Sequence, residues 1–74
     1  MSGKTLHPAT VAILRWLDCD HLPPDLQVVA RPIRDLGYDA AERLEGAELT
    51  AGLRKLVEAK DCLVRAAIDG RPAE

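Results

Sequence analysis

"LTAGLRKLVEAKDCLVRAAI", residues 49–68, sets Leu49, Leu53, Leu56, Lys60, Leu63 and Ala67 at steps of four, three, four, three and four. That is the period of one helix face, so the stretch predicts a helix over about 48–68. The fourth place in the series, where the pattern asks for a core side chain, is a lysine. Upstream, Leu26, Ala30, Ile33, Gly37, Ala40 and Leu44 follow the same steps and predict a helix over about 24–44, opened by Pro23 and Pro24. Pro32 interrupts it, and a proline in a helix interior predicts a kink near 28–31.

Two equal stripes joined by the short "EGAE", with Gly46 as the turn residue, imply an antiparallel hairpin. A pairing in which facing residue numbers sum to 93 sets Gly37 against Leu56, Ala40 against Leu53 and Ile33 against Lys60. Large then faces small in most layers, which fills a seam without voids. Pro8 suits a first helical position, so a shorter helix is expected over about 8–19. The fold class is all-α, one domain over residues 1–74, with a short N-terminal helix followed by a long antiparallel helical hairpin.

Seventy-four residues support only a small core. Phe is absent and Trp16 and Tyr38 are the only aromatics, so the core is Leu, Val, Ile and Ala. Gly52, Ala59 and Ala66 form a smooth flank on the third helix, open either to Val11, Leu14 and Trp16 of the first helix or to another subunit. Val28, Val57 and Val64 exceed what one hairpin hides. An oligomer is expected, as a dimer of hairpins or a hexamer.

A net charge of −2 argues against DNA binding by overall basicity. A helix-turn-helix is disfavoured further by the long hairpin helices. Cys19 and Cys62 lack metal-site spacing and read as buried thiols. No apolar leader or membrane-length run is present, so a cytoplasmic protein is expected. No nucleophile is paired with a base and no phosphate loop or metalloprotease motif occurs, so no catalytic residue, metal ligand or cofactor is assigned.

Lys60 has three readings. Its stem packs in the seam while the ammonium reaches the edge; it sets register, as polar seam residues do; or it meets an anion. On the pairing above it lies beside Arg34 and one turn from Arg31, at the level of the proline, so three cations converge where a groove is expected. Arginine suits phosphate. The plain alternative for Arg31 and Arg34 is solvated surface with Asp35 and Asp61 as partners. Arg65 belongs to a polar stripe with Arg54, Glu58 and Asp61, usually a solvent face.

"HLPPDLQVVARPIRDL" followed by "LTAGLRKLVEAKDCLVRAAI" resembles small phage and actinobacterial proteins with an "HLP..LQ.VSRPF..LA" entry and an "LR.LLEAKDC.VRA" exit. Those proteins look related to the helical-hairpin domain of phage anti-CBASS and anti-Thoeris sponges, small hexamers that sequester cyclic nucleotide immune signals without turnover. The resemblance implies that Arg34 and Arg65, with Arg31 and Lys60 beside them, hold a cyclic di- or trinucleotide. His21 takes the place where sponges carry an aromatic. The competing expectation is a small oligomeric regulator or scaffold that binds another protein through apolar helix faces.

Overall fold

The computed structural model describes residues 5–72, in the order α1 (Pro8–Leu14), a 3-10 turn (Arg15–Leu17), α2 (Pro24–Arg43) and α3 (Ala47–Asp69). The described residues are helical with no strand, and α2 and α3 make the hairpin. No helix is long and apolar enough to cross a membrane.

α1 begins as its sequence requires. His7 Nδ1 accepts the Ala9 amide at 3.0 Å, and Pro8 fills a first-turn position that needs no amide donor. Its inner face is Thr10, Ile13 and Leu14. The helix expected to run to about residue 19 instead tightens at Arg15 and stops at Leu17. Leu17 and Cys19 are both fully buried. Residues two apart in an α-helix lie about 200° around its axis, so a continued helix would turn one of them to solvent. Leaving the helix at Asp18, which is extended (φ −59, ψ 141), lets both face inward.

α2 runs without interruption from Pro24 to Arg43 with Pro32 inside it. The proline withholds one bond from the Val28 carbonyl. Val28 and Pro32 are both exposed, so the missing bond falls on the solvent side of α2, away from the core. Leu44, expected in the seam, has left the helix (φ −122, ψ 166) and is 56% exposed. Gly46, at φ 102, opens α3 with a conformation that other residues resist, and the chain departs α2 at Arg43 to reach it. Ala41 is therefore the buried residue at this end, and Ala40 is only half-buried.

The middle of the expected pairing is present. A Cβ on Gly37 would touch Leu53 and Leu56 at 3.6 Å and collide with Leu17. Gly37 is thus the point where the 3-10 turn crosses the hairpin, and its missing side chain admits Leu17. Ile13, Leu14, Leu17, Ala41, Leu49 and Leu53 form the core, with Leu56 and Val57 packed beside them. Each fully buried leucine contributes about 1.5–3 kcal/mol. Leu63, expected in the seam, is 49% exposed. α1 does not fill the flank of Gly52, Ala59 and Ala66: a Cβ on Gly52 would meet nothing within 4 Å, and Ala66 is exposed. Cys62 is exposed rather than buried.

Candidate functional site: the turn held by Lys60

The charge in the seam ends on backbone oxygens. Lys60 is 6% exposed, and its Nζ donates to the Trp16 carbonyl at 2.9 Å and the Asp18 carbonyl at 2.7 Å. These oxygens close the first helical segment, where carbonyls lack helical partners and carry partial negative charge. The stem packs as a core side chain, and the ammonium caps the turn instead of reaching the solvent edge. Two of its three donors are committed, which leaves little of Lys60 for a ligand phosphate.

The following loop is held by other residues of α2. Tyr38 donates its hydroxyl to Asp18 Oδ1 at 3.1 Å. Burial, and after it this bond to a carboxylate, raises the phenol's pKa above its ordinary value. Gln27 Nε2 donates to the Leu22 carbonyl at 2.8 Å. Arg34 Nη1 lies 3.6 Å from Asp20 Oδ1 and 3.8 Å from Cys19 Sγ. Four side chains of the hairpin thus grip residues 16–22.

The gripped turn presents Trp16. Leu17 and Cys19 are fully buried, yet Trp16 is 70% exposed. A groove of about 320 Å³ runs beside it, lined by Ala12, Arg15 and Trp16. Val11, 45% exposed, also belongs to the solvent side of α1. The indole is thus displayed to solvent on a fixed turn.

The structure brings only part of the expected cation site together. Arg34 Nε and Nη2 donate to Asp35 Oδ1 at 3.1 and 3.0 Å, and that bond, ahead of the opposing effect of desolvation, raises its pKa. Arg31 Nη2 donates to Gln27 Oε1 at 2.6 Å, so both arginines sit by the loop that carries exposed His21. Asp18, Asp20 and Asp35 share the neighbourhood and offset their charge. Arg65 stands apart. Five residues beyond Lys60, it lies about 140° around α3, exposed on the polar stripe with Arg54, Glu58 and Asp61.

Another cleft, about 770 Å³, lies elsewhere, at the hairpin tip between Leu6, His7, Thr10, Leu44 and Leu49. None of Arg31, Arg34, Lys60, Arg65 and His21 lines it. Among the described residues no group of three or more His, Cys, Asp or Glu could hold a metal ion.

The sequence reading missed Trp16 as a surface residue and Tyr38 and Gln27 as anchors. The signal was present for the first. Thr10, Ile13, Leu14 and Leu17 define α1's inner face, and Trp16 falls outside that spacing. No family model matches the chain, and neither a curated protein nor a solved structure matches it.

Proposed function

We propose that the chain is a small protein-binding module that acts by occupancy without turnover and docks a partner on Trp16. The observation that carries this reading is a 70% exposed tryptophan on a turn whose carbonyls are fixed by a buried lysine. Tryptophan is the side chain most enriched among residues that dominate interface energies, and a held turn loses less freedom on binding. Ala12 in the adjoining groove extends the apolar contact, and Arg15 supplies a charge at its edge.

The cyclic-nucleotide reading implied by the resemblance asks for free cations at Arg34 and Lys60. Those two groups are occupied by carboxylates and carbonyls, so protein binding is preferred. The test is affinity capture with the wild type and Trp16→Ala in parallel, followed by titration of each purified captured protein. A true partner should shift Trp16 emission to the blue and bind Trp16→Ala at least roughly thirtyfold more weakly, as a hot spot of about 2 kcal/mol requires. Equal affinity for both proteins would refute the site. A melting-temperature rise with cyclic di- or trinucleotides, lost in Arg31→Ala and Arg65→Ala, would replace it with the sponge.

A further inference from the structure

We propose that the hairpin face opposite α1 is covered by a second copy of the chain, antiparallel about a two-fold axis at the level of Arg34 and Ala59. α1 occupies one side of the hairpin, against Ala41, Leu49 and Leu53. The other side shows Val29, Leu36, Gly52, Ala59, Leu63 and Ala66, with Leu36 55% and Leu63 49% exposed. The exposed apolar side chains of α2 and the small residues of α3 make this a face that a second helical layer can cover.

Charge placement selects the partner and its direction. Asp25 and Arg43 are eighteen residues apart, five full turns, so they project from the same side of α2. Val29, Pro32 and Leu36 lie between them on that side. An antiparallel copy of α2 centred on position 34, midway between 25 and 43, sets each Asp25 beside the partner's Arg43. Asp25 already pairs with Arg71 at 2.9 Å, and Arg43 with Asp39 at 3.1 Å. The contact therefore joins two pairs into a row of alternating sign.

α3 gives the same centre independently. Gly52 and Ala66 are each seven residues from Ala59, so an antiparallel copy centred there sets Gly52 against the partner's Ala66. Small residues at those places let the helices approach closely. Within one chain Gly37 lies against Leu53 and Leu56, which puts position 34 of α2 level with 56–59 of α3. One axis thus satisfies both centres to within a turn, and the product is a four-helix bundle of two hairpins. α2 is about 30 Å long and two helices are about 20 Å wide, so the face offers on the order of 600 Å² per subunit. That gives about 1,200 Å² in total, the lower end of specific interfaces.

Sedimentation equilibrium across micromolar concentrations tests the association. A dimer is expected for the wild type and a folded monomer for Leu36→Glu; a wild-type monomer throughout would overturn the proposal. Asp25→Arg should weaken dimerisation roughly threefold to tenfold, and the double change Asp25→Arg with Arg43→Asp should restore it. In a Cys62→Ser background, Ala59→Cys should crosslink the dimer on oxidation while Val28→Cys should not. A dimer that ignores the charge swap and crosslinks equally at both sites would overturn the axis. Trp16 lies outside this face, so a monomer leaves the partner-binding site standing, and loss of partner binding leaves the dimer standing.

Discussion

Lys60 fills a core position because its ammonium has two carbonyl oxygens to reach, those of Trp16 and Asp18. Lys60→Met keeps most of the stem's packing but leaves both oxygens without their donor. A bond to a charged group contributes about 1.5–3 kcal/mol, so a loss of about 2–3 kcal/mol is expected in a urea melt. An unchanged or higher midpoint would mean that the ammonium is only tolerated there. Gly37 is the second residue on which the packing turns. Gly37→Ala improves helix propensity by about 1 kcal/mol. The new methyl meets the Cδ1 methyl of Leu17, a fully buried side chain that must shift within the core to admit it. Overpacking costs about 1–3 kcal/mol, so a net loss is expected from the same melt. A gain in stability would show that Leu17 can move.

α2 carries a proline in its interior and remains one helix from Pro24 to Arg43. Since Pro32 is exposed and Val28 lies on the solvent side, Pro32→Ala restores the missing amide bond without disturbing the core. Proline is about 3 kcal/mol worse than alanine inside a helix, so a rise of about 1–3 kcal/mol is expected by thermal melting followed with circular dichroism. No change would mean that α2 is bent to suit the proline. Three helices, their order and the middle of the hairpin seam were legible in the sequence, because apolar periodicity and proline placement are local signals. The ends of the seam were not. Leu44 follows the stripe in number but lies past the last helical residue, and the stripe has no term for a turn such as Gly46 that begins early. The 3-10 turn was hidden for a related reason: it exists so that Leu17 and Cys19 can both be buried, which is decided by the hairpin beneath them.

Across the whole molecule, the C-terminal end of α3 is tied back to the first turn of α2. Arg71 Nε and Nη2 donate to Asp25 Oδ2 and Oδ1 at 2.9 and 3.1 Å, and this pairing lowers the carboxyl's pKa below its ordinary 3.8. A lowered pKa favours the folded state while the group is ionised. The contribution is present above the ordinary value and is lost as pH falls through the folded one. Both side chains are exposed, so the effect is small: Arg71→Ala should lower stability slightly at neutral pH, leave the strongly acid value unchanged, and so flatten the acid limb of a stability-against-pH curve. An unaltered acid limb would show that the tie contributes nothing in solution.

The candidate site was less legible than the fold. The cations expected to converge are scattered or neutralised, because contacts such as Arg34 with Asp20 and Tyr38 with Asp18 join the hairpin to a loop 14 to 20 residues away in sequence. Lys60 was the one clue, and its meaning depended on a turn more than 40 residues upstream. Trp16, displayed by that turn, is the chain's only tryptophan, so its fluorescence reports the claim directly. Acrylamide should quench the native protein nearly as readily as the urea-unfolded chain. A native tryptophan that is shielded from acrylamide and emits in the blue, in the absence of any partner, would contradict the account.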